Sequence, residues 1–260
     1  RESDNYEEDE SVGTITMIEG RKAIINKHYI SQMQVLLRNK QMENLVLIKH
    51  GNPRVKYTVP LTWFCDEDNI ARTGDDDIVM VQFDKNIPVC RSVTQFFASE
   101  ETIRGNRDYD TTLVATRTPF VTELFRLRDK IIEQPLVIGK NIHTDVLIYE
   151  AETRVGDCGS FLVYNGDYAK GEERILGVHM AGVRIGDQKK GFATIVSQEK
   201  LNTLISLFDK EPVREFGPIP EGDLLNEKTC HEVVEKISPP VFAPSKTNII
   251  PSEIIGVFGP

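Results

Sequence analysis

Short apolar runs broken by turn residues make up most of this chain, and only one stretch has convincing helical spacing. Side chains of a strand alternate between two faces, so punctuated runs of this kind read as strands. Gly13-Thr14-Ile15-Thr16-Met17-Ile18 alternates, Glu19-Gly20 turns it, and Lys22-Ala23-Ile24-Ile25 resumes. This predicts a hairpin leading into Asn26-Lys27-His28 and a loop beyond. A second pair, Asn44 to Ile48 and Val55 to Val59, flanks Gly51-Asn52-Pro53. Asp77 opens the run Ile78 to Phe83. Ala98 to Asp110 reads as a polar connector. Further strands are expected at Thr111 to Thr118, Leu136 to Ile138, Val146 to Glu150, Phe161 to Tyr164, Ile175 to Ala181 and Gly191 to Ile195. Only Ser197 to Phe208 places Leu201, Leu204, Ile205 and Phe208 on one helical face, with Ser197 as N-cap. The expected class is all-β, with one barrel over residues 13–105 and a second over 106–208 that ends in the helix.

The two ends differ from this body. Residues 1–12 form an acidic stretch, with Glu or Asp at 2, 4, 7, 8, 9 and 10, and read as a solvated tail. Residues 209–260 carry eight prolines, at 212, 218, 220, 239, 240, 244, 251 and 260. Proline cannot donate to a strand ladder, so this end is expected to be a linker and an extended stretch outside any regular barrel.

Charge and cysteine usage narrow the function classes. The net charge of −9 weighs against nucleic acid as the main ligand of the surface, since phosphate binding needs a positive footprint. No apolar run approaches the roughly eighteen residues of a membrane span. Cys65, Cys90, Cys158 and Cys230 are widely spaced with no C-x-x-C pair, which gives no support to a zinc site. A reducing compartment and no metal or other cofactor are expected.

One of these cysteines stands in a reactive context. Thr153-Arg154-Val155-Gly156-Asp157-Cys158-Gly159-Ser160 sets it in a tight glycine-flanked turn, and Gly177-Val178-His179-Met180-Ala181-Gly182 follows. A thiol attacks as thiolate, and converging backbone N–H groups can hold both the sulfur and a developing oxyanion. Such a nucleophile needs a base within reach, and the base needs an orienting group. Of the five histidines, His28 at the end of the first hairpin is the best placed. His50 and His143 read as turn residues, and His231 lies in the proline-rich end. Asp77, at the head of its strand, can accept from one imidazole nitrogen and fix the tautomer. Asp75 and Asp76 read as exposed neighbours.

The order His28, Asp77, Gly156-Asp157-Cys158-Gly159, then Gly177-Val178-His179-Met180-Ala181-Gly182 resembles the picornavirus-type 3C-like cysteine proteases. Ile24 to His28, Asp77 to Val81 and Gly191-Phe192-Ala193 resemble further segments of that family, so the likeness runs from about residue 13 to 208. The resemblance implies a chymotrypsin-like double β-barrel and a cytoplasmic viral enzyme that processes its own polyprotein. It implies Cys158 as nucleophile, His28 as base and Asp77 as its orienter. The backbone N–H groups of Cys158 and of Gly156 or Asp157 would form the oxyanion hole. Thr153, His179, Ala181 and Gly182 would line the pocket for a glutamine or glutamate before the cut, with a small residue after it.

The chain departs from the family pattern in three places. Ser160 stands where a second glycine is common, and Asp157 puts an acid next to the thiol, so activation must lean on His28. Pro88 to Val93 carries one basic residue, Arg91, where the family has a basic-aromatic RNA-binding segment; this argues against RNA binding at that face. Phe125 to Lys130 is more basic but reads equally as a solvated face.

Phe242 to Ser252 resembles the opening of picornavirus-like RNA-dependent RNA polymerases. It implies a polyprotein segment with the polymerase downstream, and Glu221-Gly222 is a candidate junction. Two rivals remain: a non-catalytic module of the same fold that binds viral RNA or replication proteins, and a serine-protease relative, which Cys158 opposes.

Overall fold

The computed structural model describes residues 11–74, 76–105, 110–118, 121–127, 132–133, 135–138, 141–166, 174–185, 188–209 and 254–258. In the N-terminal lobe, strands β1 (Ser11–Glu19) and β2 (Lys22–Asn26) lead into helix α1 (Lys27–Arg38). Strands β3 (Asn44–Lys49), β4 (Lys56–Pro60), β5 (Ile70–Arg72) and β6 (Ile78–Gln82) follow. A short helix α2 (Glu100–Gly105) stands in the expected connector. The C-terminal lobe holds β7 (Thr111–Thr118), β8 (Val121–Leu127), β9 (Ile132–Glu133), β10 (Leu136–Ile138), β11 (Asn141–His143) and β12 (Val146–Glu150). It continues with β13 (Phe161–Tyr164), β14 (Arg174–Ile185), β15 (Gln188–Ile195) and helix α3 (Gln198–Phe208). The last strand, β16 (Ile254–Phe258), returns to the first lobe.

The strands form two seven-stranded antiparallel sheets, β4-β3-β16-β1-β2-β6-β5 and β8-β7-β13-β14-β15-β12-β9, with β10–β11 as a separate pair. This is the all-β class expected, with a short helix after the last strand of the second sheet.

Strand periodicity explains how one sheet serves two cores. In β2 and β6, Ala23, Ile25, Val79 and Val81 point into the core of the N-terminal lobe with Leu47, Leu61 and Phe64. Their neighbours Ile24, Ile78 and Met80 point the other way, into a cluster that includes Phe161 and Val178 of the second sheet. Both faces of these strands are buried, hence their continuous apolar runs. Helix α3 closes this shared core with Leu201, Leu204 and Ile205, and the Ser197 side chain caps it by accepting from Lys200 N at 3.0 Å. Truncating Leu204, which is fully buried, is expected to cost about 2–5 kcal/mol and to lower the unfolding temperature as the lobes lose a shared wall.

Three expectations change. The segment after His28 is not a loop but helix α1, because Tyr29, Ile30 and Met33, with Leu36 and Leu37, share one buried face. His143, read as a turn residue, is buried at the end of β11. Residues 254–258 do join a regular sheet, between β1 and β3. Ile254-Ile255-Gly256-Val257-Phe258 contains no proline, so it can use both of its edges. The remaining C-terminal stretch, with Glu221-Gly222, Cys230, His231 and the whole polymerase-like run Phe242 to Ser252, lies outside the described residues. Among the described residues no helix is long and apolar enough to cross a membrane.

Candidate active site

Helix α1 starts at the end of β2, and Asp77 prepares that start. Its Oδ1 accepts from His28 N at 3.0 Å, and its backbone oxygen accepts from Lys27 N at 3.0 Å. A helix N-terminus has unpaired N–H groups and a positive dipole end, so a carboxylate is well placed there. The N-cap residue Asn26 does not cap with its side chain. Its amide donates instead to Asp77 Oδ2 at 3.0 Å and to the His179 carbonyl at 3.3 Å. Asn26 is fully buried and ties the acid to a strand of the other lobe.

The same carboxylate reaches the imidazole. His28 Nδ1 lies 2.6 Å from Asp77 Oδ2, with Asp77 5% exposed and the His28 side chain about a third exposed. Burial disfavours the imidazolium, but hydrogen bonds to Asp77 and Cys158, and the charges of both, outweigh it and push His28 up to about 10. This has a consequence for stability. A histidine that ordinarily titrates near 6.5 contributes its full share below that pH, and the share is lost as pH rises through about 10. The stability gap between the wild type and His28→Gln is therefore expected to shrink from pH 6 to pH 10, read by thermal unfolding at each pH.

Cys158 comes from the second lobe, on the turn between β12 and β13. The turn is held by Asp157 N donating to Arg154 O at 3.2 Å and Ser160 N to Asp157 O at 3.0 Å. Gly159 N donates to His179 O at 2.9 Å, and the Cys158 carbonyl accepts from Thr14 N of β1 at 2.9 Å. Gly159 has φ +92°, and a Cβ there would run into the backbone oxygen of Thr14. Gly159→Ala is therefore expected to cost more than the roughly 1–3 kcal/mol of backbone strain alone, because Thr14 backbone cannot yield. Thermal unfolding and peptide hydrolysis should both register it.

The sulfur has two kinds of partner. Cys158 Sγ lies 3.2 Å from the Met180 carbonyl oxygen, a contact for the protonated thiol. As thiolate it instead accepts from His28, and Tyr29 hydrogen-bonds to it as well. Burial, followed by the charge of Cys158, raises the Tyr29 hydroxyl far above its ordinary range, so it stays a donor. The Tyr29 ring sits 4.5 Å from that of His28.

A cleft of about 600 Å³ brings these groups together. His28, Tyr29, Thr153, Gly156, Cys158 and His179 all line it, as do Ala181 and Gly182. Thr153 packs against Gly182 so closely that a Cβ on residue 182 would overlap its hydroxyl. His179 is 1% exposed, and its Nδ1 lies 2.6 Å from the Tyr149 hydroxyl. Burial, with the charges of Arg117 and His28, pushes His179 down to about 4, against a hydrogen bond that the ring donates to the Phe192 carbonyl. The ring is neutral at pH 7. Burial holds the Tyr149 hydroxyl protonated, so Tyr149 donates and His179 Nδ1 accepts.

The structure thus brings the residues predicted for the site to one cleft or its supporting turn, with Asp77 buried behind His28 rather than lining the cleft. It changes one detail: Asp157 N–H is used by Arg154 O, so it is not available to a substrate. Sequence reasoning missed Asn26, Tyr29, Arg117 and Tyr149. Tyr29 had a signal, its helical spacing with Ile30 and Met33; the others sit in strand runs or at a strand end with no local mark. Among the described residues no cluster of three or more His, Cys, Asp or Glu could hold a metal ion.

An imidazole held by a buried carboxylate beside a cleft-lining thiol can remove the thiol proton and return it to a leaving group. No protein-family model and no curated protein matches the chain. Its fold is similar to solved structures at low identity. The HRV-C 3C protein with rupintrivir is 15% identical over 72% of this chain and 91% of that one, with a TM-score of 0.40. Catalytically inactive tobacco etch virus protease complexed with substrate is 17% identical over 75% of each chain, with a TM-score of 0.47. The MamO protease domain from Magnetospirillum magneticum is 10% identical over 77% of this chain and 89% of that one, with a TM-score of 0.49. At such values the geometry of the site itself carries the functional reading.

Proposed function

We propose that this chain is a viral cysteine endopeptidase that cuts its polyprotein after glutamine, or glutamate, before a small residue. One observation carries the reading: His28 has Asp77 at 2.6 Å on one nitrogen and Cys158 as its other hydrogen-bond partner, in a single cleft. Cys158 attacks the scissile carbonyl while His28 holds its proton. The tetrahedral intermediate collapses to a thioester as His28 gives that proton to the leaving amine. Water, with His28 as base, then hydrolyses the thioester and releases the sulfur. The Gly156 and Cys158 N–H groups are the donors left for the oxyanion, since Asp157 N–H is engaged within the turn.

The specificity reading rests on His179. With Nδ1 accepting from Tyr149, the single proton of the neutral ring sits on Nε2, a donor suited to a glutamine side-chain carbonyl, with Thr153 as second donor. A pocket built of such donors rejects side chains that leave them unpaired. Tyr149→Phe frees the tautomer without removing the ring. It is expected to lower kcat/KM for a glutamine substrate about tenfold, the worth of one good hydrogen bond, while alkylation of Cys158 proceeds as before.

The decisive experiment is mass spectrometry of the products formed when this chain is incubated with a polyprotein fragment. Cuts after glutamine or glutamate support the reading, and a Cys158→Ala control must abolish them. Binding of RNA or of a replication protein without any cut, unchanged by Cys158→Ala, would instead favour the non-catalytic module.

A further inference from the structure

The residue before the sulfur is an acid, and it is almost wholly inside. Asp157 is 1% exposed. Such a carboxylate is costly twice over: it loses water, and its charge opposes the thiolate at the next residue. Two groups meet it. Arg154 N donates to its Oδ2 at 2.7 Å, and Arg117 Nη1 stands 3.1 Å from its Oδ1. Arg117 comes from β7, and its side chain is only 8% exposed. It lies between β8 and the nucleophile turn, with Nε 3.5 Å from Glu123 Oε2 and its guanidinium 5.1 Å from the centre of the Phe125 ring. Burial raises Asp157, while the Arg154 N–H and the charge of Arg117 pull it back. The titratable and charged groups around the pair are Glu123, Arg154, Cys158 at the next residue and His28 beyond it; His179 beside them is neutral.

We propose that Arg117 is a positioning residue for the nucleophile: paired with Asp157 from inside the second lobe, it locks the 154–160 turn and cancels the carboxylate's charge at the sulfur. The inference rests on reading Cys158 as the nucleophile. It answers the difficulty posed by an acid at residue 157, because activation then need not come from His28 alone. Removing one partner of a buried pair leaves an uncompensated charge, whereas removing both does not. Charge and structure therefore make different predictions.

The test compares wild type, Arg117→Met, Asp157→Asn, the double variant and Arg117→Lys. It reads kcat and KM on a peptide, and the pH dependence of Cys158 alkylation by iodoacetamide below each variant's unfolding temperature. Arg117→Met should lower kcat about tenfold with KM little changed, less than the roughly hundredfold or more of a lost oxyanion donor. Its alkylation midpoint should move up by about one pH unit as Asp157 acts unopposed on the sulfur. Asp157→Asn should move the midpoint down, since Arg117 is then unopposed. The double variant should return toward wild type in both readouts, and Arg117→Lys should keep the wild-type midpoint. If Arg117→Met does not fold, the downward shift of Asp157→Asn and its reversal in the double variant decide the matter. Unshifted midpoints, or a double variant no better than Arg117→Met, would overturn the inference. A wild type that cuts no peptide would instead remove the reading beneath it.

Discussion

Cys158→Ala is expected to give a folded protein whose peptide cleavage is lost by about a millionfold, down to what binding and oxyanion donors alone can do. The sulfur is the atom that forms the covalent bond, and nothing else lining the cleft can replace it. Tyr29 and Thr153 carry hydroxyls there, but the imidazole is aimed at residue 158. The structural cost is small: Cys158 is only partly buried, against Tyr29 and the core of the N-terminal lobe, and alanine removes one atom. A change in stability of about 1 kcal/mol is expected, at the modest end for a single substitution. Single-turnover assays paired with thermal unfolding separate the two effects. Retained cleavage in this variant would end the protease reading.

Asp77→Asn is the second large effect, and here activity and stability fall together. The carboxylate accepts from His28 Nδ1, His28 N and Asn26 Nδ2 at once. An asparagine has one acceptor oxygen, so its NH2 meets either the His28 backbone N–H or, in the other orientation, both His28 Nδ1 and Asn26 Nδ2, and donor then faces donor. His28 then either takes the wrong tautomer or loses its hold. Loss of kcat by up to about ten-thousandfold follows, by the logic of triads in which the acid fixes the base. The start of α1 also loses its capping charge, worth about 1–2 kcal/mol. Kinetics at several pH values and thermal unfolding check both halves. An Asp77→Asn enzyme with normal kcat would show that Asn26 and the helix alone orient His28.

Strand periodicity made most of the fold legible. Thr111 to Thr118, Val146 to Glu150 and Phe161 to Tyr164 form strands at the bounds expected, and Ser197 caps α3 as its spacing predicts. Helix α1 was also written in the chain, in the spacing of Tyr29, Ile30 and Met33, but the strand that feeds it masked the change of period. Strand β16 was hidden for a different reason: prolines on either side outweigh a short apolar run until a vacant sheet edge is known to exist. Asn26 looked like a turn residue, and its use as a strut between Asp77 and His179 depends on two segments far away in sequence.

Residue order alone determined the chemistry available: a glycine-flanked thiol, an imidazole at a strand end, an acid at the head of another strand, and the β class that could unite them. That information is local, because reactivity and period are properties of a side chain and its near neighbours. Folding in three dimensions decided which partners meet. Tyr149 on His179, Arg117 on Asp157 and Asn26 across the lobes are contacts between residues 30, 40 and 153 positions apart. No local pattern encodes such pairs; burial does, since polar groups taken out of water must find partners wherever the packing puts them.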